Sequence, residues 1–187
     1  MVYYTSPDRS SLLEQLQSDS MKAICDADWK DLTIMNLPEI PNFTLLVGWT
    51  RQVAITDSLI QATEKKRKVA TDSAFYKEFL AKSHAIVQGL QSAWNEQDIP
   101  ALQEGIRSNR ALLNEFAQEM QLEIETPALQ TLCDIAEQNG ACAKTSGAGG
   151  GDCGICFTQN ETQRQQIETQ WAKAQIQVLP LTIAEAW

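Results

Sequence analysis

The chain has 187 residues, 43% of them hydrophobic, and 15 basic against 24 acidic side chains give a formal net charge of −9. That composition fits a folded globular protein rather than a disordered one, and its acidity argues against a general nucleic-acid binder, which needs a basic face to neutralise phosphates. The aliphatic runs, such as Leu45-Leu46-Val47, are far too short to span a bilayer, and Met1-Val2-Tyr3-Tyr4-Thr5 has no signal-peptide pattern, so a cytoplasmic protein without a membrane partner is expected.

In chain order, Tyr3–Ser6 reads as a short strand, and Ser6-Pro7-Asp8-Arg9 as a turn into a short helix over Ser10–Gln17. Leu32–Leu37 reads as a strand closed by Pro38 and Pro41. Phe43–Trp49 is a clearer strand, a compact apolar run bounded by Pro41-Asn42 and Gly48. The basic run Glu64–Lys68 is expected to be a solvated helix face, with an anion-attracting rim near a phosphorylated ligand as the other reading. Three helices follow. In Ser73–Trp94 the apolar positions Phe75, Phe79, Ile86, Val87, Leu90 and Trp94 recur at three- and four-residue spacing. In Ala101–Met120 the stripe is Leu102, Ile106, Leu113, Phe116 and Met120, opened by Asp98-Ile99-Pro100. The third helix starts with Thr126 as N-cap and Pro127 at the first helical position, and stops at Gly140. Beyond it, Ala141–Thr145 and Cys153–Thr158 read as strands, Thr162–Ala174 as a helix and Ile176–Leu179 as a last strand. Strands separated by clusters of helices predict an α+β layered fold.

Five cysteines (Cys25, Cys133, Cys142, Cys153, Cys156) are an odd number, which argues against a disulfide framework. Cys153-Gly154-Ile155-Cys156 is formally a C-x-x-C. On a strand, residues three apart point to opposite faces, so the pair does not share a metal. His84 is the sole histidine, which excludes a histidine-rich zinc site, and no metal-ligating set is expected.

The chemically informative segment is Lys144-Thr145-Ser146-Gly147-Ala148-Gly149-Gly150-Gly151-Asp152-Cys153-Gly154, which holds five of the nine glycines. Such density points to unusual dihedrals or close approach by another group. Successive amides in such a loop form an anion-binding concavity, and Lys144, Thr145 and Ser146 suit a phosphate. Gly149-x-Gly151-x-x-Gly154 matches the dinucleotide pattern, but it runs into a strand rather than opening a helix. A Walker A loop needs its Lys-Ser/Thr after the glycines, not before them. A protein-kinase loop needs catalytic and metal-binding segments downstream, for which too few residues follow. Spacing alone leaves two readings open: a wide glycine hairpin between strands, or a phosphate-associated loop.

Lys144–Ile155 (K-T-S-G-A-G-G-G-D-C-G-I) resembles the third motif of the GHMP small-molecule kinases, most closely their phosphomevalonate kinase branch. Leu46-Val47-Gly48-Trp49-Thr50, with Ala54 and Thr56, resembles the G-W-T loop of the same branch. Asn109-Arg110 and Ile124–Leu129 resemble its helical region. The segments are co-linear. Arg51-Gln52-Val53 departs from the Gly-Ser-Pro of many relatives. The second motif, P-x-x-x-G-L-G-S-S-A, is absent from the sequence, as is the substrate-lysine region.

The resemblance implies an antiparallel sheet with helices packed on one face, as in the GHMP C-terminal domain, with residues 1–60 supplying strands and a substrate-side loop from the domain junction and 61–187 the domain itself. It implies ATP, Mg²⁺ and phosphorylation of (R)-5-phosphomevalonate to 5-diphosphomevalonate in the mevalonate route to isoprenoids. Gly48, Trp49, Thr50, Thr56 and Arg110 would face substrate. Lys144, Ser146, Gly147, Ala148, Gly149, Gly150 and Asp152 would lie near the phosphates. No catalytic base is assigned. The chain is expected to be a C-terminal fragment lacking the ATP-loop domain, weak or inactive alone, completed by a separate N-terminal half or exposing apolar surface at Tyr3, Tyr4, Leu45 and Trp49 that favours a homodimer. The rival expectation is a non-catalytic metabolite-binding or interaction module of the same fold.

Overall fold

A computed structural model describes residues 2–6, 9–18, 20–27, 29, 32–52, 73–147 and 149–181. The expected basic face at Glu64–Lys68, together with Thr56 and Ala148, lies outside these residues. The chain groups into two compact units, residues 40–182 and a smaller unit built on 1–39.

In the smaller unit, strand β1 (Val2–Thr5) pairs antiparallel with β2 (Thr33–Asn36), placing Tyr4 opposite Ile34. Helix α1 spans Arg9–Ser18 and α2 spans Met21–Asp26. The strands and α1 follow the sequence expectation; α2 was not foreseen. Ser20 caps it, accepting from the Ala23 amide at 3.3 Å, and the Trp29 indole donates to the Ile24 carbonyl at 3.1 Å. Val2, Tyr4, Ile34, Met35, Leu13, Leu16 and Met21 remain exposed.

The larger unit holds a four-stranded antiparallel sheet in the order β4-β5-β3-β6. Strand β3 is Thr44–Trp49, β4 Cys142–Thr145, β5 Cys153–Thr158 and β6 Gln177–Val178. Among the described residues its helices are α3 (Ala74–Glu96), α4 (Ile99–Glu119), α5 (Pro127–Gln138) and α6 (Glu161–Lys173). Among its described residues every strand and helix expected from the sequence is present, and the architecture is the expected α+β arrangement. Among the described residues no helix is long and apolar enough to cross a membrane.

The pleat decides the core. Leu46, Ala143 and Cys156 share one sheet face, where Leu132, Cys133 and Ala136 of α5 and Ile167 and Trp171 of α6 cover them. The Trp171 indole donates to the Leu132 carbonyl at 3.0 Å and so ties the two helices together. Phe157 points to the opposite face, stacked on Phe43 with centroids 4.9 Å apart and met edge-on by Trp94.

Helices α3 and α4 form a hairpin turned by Gln97 (φ +56°) and capped by Asp98, which accepts from the Ala101 amide at 3.1 Å. Phe116 of α4 packs among Phe75, Tyr76 and Phe79 of α3. Two details differ from the periodicity. Leu112 is buried and Leu113 half-buried in α4, because that helix packs α3 on one side and β4 on another, which widens its buried arc. Val87 of α3 is exposed rather than part of the packed stripe.

Candidate functional site

The glycine loop joins neighbouring antiparallel strands, so topologically it is a hairpin connection. The pairing stops early. The Ser146 amide donates to the Cys153 carbonyl at 2.9 Å, and beyond that rung the chain leaves the ladder. Gly147, Gly149, Gly150 and Gly151 have φ of +65°, +78°, +84° and +123°, a run that glycine adopts without steric cost. The Gly150 amide donates outward to the Ile124 carbonyl at 2.9 Å. The amides of Gly147, Gly149 and Gly151 have no partner among the described residues. Successive amides in such conformations can form an anion-binding concavity. The loop is thus a wide hairpin in which three glycine amides carry no hydrogen bond among the described residues.

The Gly-Trp-Thr segment meets this loop directly. The Thr50 amide donates to the Asp152 carbonyl at 2.9 Å, and the Thr50 hydroxyl reaches the carbonyls of Gly151 and Asp152, the latter at 3.0 Å. Thr50 is buried and its hydroxyl faces the loop. Gly48 lies opposite Gly154 in the β3–β5 register. A Cβ at either would come within 2.7 Å or 2.6 Å of a Leu132 methyl. Gly48 thus lies inside the packed sheet, while Trp49, on the next pleat, is half-buried. Arg51 follows at φ +62°, in the left-handed region that favours glycine.

Arg110 of α4 is engaged within the protein. Its Nε and Nη2 donate to the two Glu125 oxygens at 2.8 and 2.5 Å, and Nη2 also reaches Asp134 Oδ1 at 3.1 Å. Asn114 adds a bond to Glu125 at 3.1 Å. Burial by itself would raise the Glu125 pKa, but the bonds from Arg110 and Asn114 outweigh it and hold the carboxyl below its usual range. The Arg110 guanidinium is shifted upward, chiefly by its bond to Glu125.

Lys144 extends from β4, donates from Nζ to the Thr145 carbonyl at 2.8 Å, and has no ion-pair partner among the described residues. Burial lowers the pKa of its ammonium. Ser146 is half-buried and Asp152 exposed, with Asp152 Oδ1 accepting from Cys153 Sγ at 3.7 Å. The structure thus brings Thr50 against Gly151 and Asp152 of the loop, leaves Lys144 bonded to Thr145 on β4, and places Arg110 behind the loop, against the segment that receives the Gly150 amide.

All five cysteines are free. Burial pushes Cys133 and Cys142 up to about 12 and Cys156 further, so these are inert packing groups. Among the described residues no cluster of three or more His, Cys, Asp or Glu could hold a metal. Sequence reasoning missed Glu125, Asn114 and the Ile124 carbonyl. Thr126-Pro127 marked that segment as a helix start, but nothing local reveals that the carbonyl just before it receives a glycine amide.

Comparison with known proteins names this arrangement. Residues 87–177 match the family described as GHMP kinases C terminal. Over that stretch the chain is similar to a GHMP kinase C-terminal domain. It is 35% identical over 185 residues to a phosphomevalonate kinase of Streptomyces sp. (strain CL190), covering 98% of this chain and 49% of that protein. Among solved structures, a Lin0012 protein from Listeria innocua superposes with a TM-score of 0.88 at 31% identity, covering 96% of this chain and 50% of the other. Streptococcus pneumoniae phosphomevalonate kinase, in complex with phosphomevalonate and AMPPNP, superposes with a TM-score of 0.80 at 27% identity, covering 96% of this chain and 50% of the other. The chain therefore spans about half the length of the relatives it matches.

Proposed function

We propose that this chain supplies the C-terminal wall of a phosphomevalonate kinase active site, in which ATP and (R)-5-phosphomevalonate give ADP and 5-diphosphomevalonate. The observation that carries this reading is the junction of Thr50 with Gly151 and Asp152, which joins the Gly-Trp-Thr segment to a loop in which the amides of Gly147, Gly149 and Gly151 have no partner among the described residues. Phosphoryl transfer is mostly positioning and charge stabilisation. In this reading the amides of Gly147, Gly149 and Gly151 receive phosphate oxygens, and the Lys144 ammonium adds positive charge on their β4 side. Gly48 and Thr50 shape the wall, with Trp49 and Thr56 on the substrate side.

Magnesium usually binds through one or two carboxylates plus the phosphates of its nucleotide. Asp152, exposed beside the loop, fits that limited role, and magnesium would there neutralise phosphate charge. The ATP clamp would come from residues outside this sequence. The exposed Val2, Tyr4 and Ile34 of the β1–β2 pair suit such a partner or a second copy of the chain. A cytosolic location fits the small phosphorylated substrates.

A coupled ADP-release assay with phosphomevalonate tests the reading, on the chain alone and mixed with a candidate N-terminal half. Turnover in the mixture and little or none alone is expected. If neither turns over while calorimetry shows phosphomevalonate binding, the non-catalytic module replaces the kinase reading. Light scattering that shows a clean monomer at high concentration would count against the self-association expected of the apolar surface.

A further inference from the structure

The glycine loop is held from two sides. On one, Thr50 grips the carbonyls of Gly151 and Asp152. On the other, the loop leans on a single peptide group. The Ile124 carbonyl accepts the Gly150 amide at 2.9 Å, and a Cβ on Gly149 would lie 2.4 Å from that same oxygen. The adjoining residue, Glu125, has a side chain only 8% exposed, and Arg110 grips both its oxygens. Asn114 fixes one of them again, and Arg110 continues to Asp134. The result is a continuous line from α4 and α5 to the loop: Arg110 to Glu125, through one peptide to Ile124, and then to Gly150.

A buried ion pair is a weak source of stability, because desolvating both charges cancels much of their attraction. A two-pronged guanidinium–carboxylate contact is better suited to fixing direction, since it sets two side chains in one plane. Here the direction being fixed is that of the Ile124 carbonyl.

We propose that Glu125, Arg110 and Asn114 are positioning residues for the glycine loop. They aim the Ile124 carbonyl at the Gly150 amide. That draws Gly150 outward and leaves the amides of Gly147, Gly149 and Gly151 on the concave side. This rests on the reading of the loop as a phosphate site; the ligand class that follows is a di- or triphosphate, whose several oxygens match several separate donors.

The test uses the full chain, isotope-labelled, with amide exchange followed by NMR. In the native chain the Gly150 amide should exchange about tenfold more slowly than those of Gly147 and Gly149, as expected of a bonded against a free group. Glu125→Gln leaves one acceptor oxygen for two guanidinium donors, and Arg110→Lys removes the fork. In both, Gly150 protection should fall about tenfold and its amide signal should move, while the Leu46 and Cys156 amides of the sheet keep their exchange rates. Asn114→Ala, which removes only the weaker contact, should give a smaller loss and keeps the test usable if the ion-pair variants fold poorly. Unchanged Gly150 protection in all three overturns the proposal, and so does a loss shared equally by Leu46 and Cys156. A separate titration with inorganic pyrophosphate distinguishes the two readings. If it moves no glycine amide of the native chain, the phosphate reading fails even where the Glu125 dependence of Gly150 is present.

Discussion

Two glycines two positions apart should respond very differently to the same substitution. At Gly147, with φ +65°, no heavy atom lies within 4 Å of where a Cβ would stand. Gly147→Ala therefore meets only the left-handed backbone penalty, roughly 1 kcal/mol. At Gly149, with φ +78°, a Cβ would stand 2.4 Å from the Ile124 oxygen and 2.6 Å from its Cγ2. The oxygen belongs to the backbone and cannot swing aside as a side-chain tip would. Relief requires the loop to lift, which breaks the 2.9 Å bond from Gly150 to Ile124. Backbone penalty, overpacking and a lost hydrogen bond together come to about 3 kcal/mol or more. Urea unfolding followed by tryptophan fluorescence measures the difference, since Trp171 is buried in the sheet core. With a slope of about 2 kcal/mol/M, the midpoint should fall by about 0.5 M for Gly147→Ala and about 1.5 M for Gly149→Ala. Equal shifts, or a larger one at Gly147, would refute the argument that the Ile124 carbonyl abuts the loop.

Thr50→Val keeps the shape but leaves the Gly151 carbonyl without its hydroxyl donor, so a loss of about 1–3 kcal/mol in the same urea assay is expected, together with faster exchange at the Gly151 and Asp152 amides. Because Glu125 is held below its ordinary pKa of 4.5, its contribution is fully present above that value and disappears as pH falls through the lower folded-state value. Urea midpoints at neutral pH and between pH 4.5 and 3 should therefore drop further for the native chain than for Arg110→Met, and parallel curves would contradict the pairing. A thiol reagent such as DTNB should label Cys25 quickly and the half-buried Cys153 slowly in the folded chain, with Cys133, Cys142 and Cys156 reacting only after denaturation. Rapid labelling of more than two thiols before unfolding would show that the core is open.

The elements of the larger unit were readable because their signals are local. Thr126-Pro127 starts α5 and Gly140 ends it; Asp98 caps α4; the apolar run ending at Trp49 is β3. Helix α2 was missed because it is six residues long and has a single buried side chain, Ile24, so no periodicity builds up; Ser20 was its one visible sign. The glycine loop was legible as an oddity of composition, but its direction was not. Direction depends on where the Gly150 amide finds an acceptor, and that acceptor, Ile124, is chosen by packing between segments far apart in the chain. Arg110 was singled out as facing substrate, and its observed partners are Glu125 and Asp134. An arginine with a carboxylate fifteen residues away is not distinguishable in sequence from one aimed at a phosphate.

The same reasoning explains why the Gly-Trp-Thr segment and the glycine loop need each other although about a hundred residues separate them. Strands β3 and β5 pair with Gly48 opposite Gly154, and both glycines face Leu132. A side chain at either position would push the Leu132 methyls, which are fully buried, out of place. Only this register puts two absent side chains over that leucine. A slip of one residue would exchange the faces of β3 and present Trp49 or Val47 to the same methyls. With the register so fixed, Thr50 has one place to go, directly after the last paired residue and against Gly151 and Asp152. The packing of a leucine in α5 therefore determines where a threonine hydroxyl meets the glycine loop, and the loop's free amides take their positions from the core beneath them.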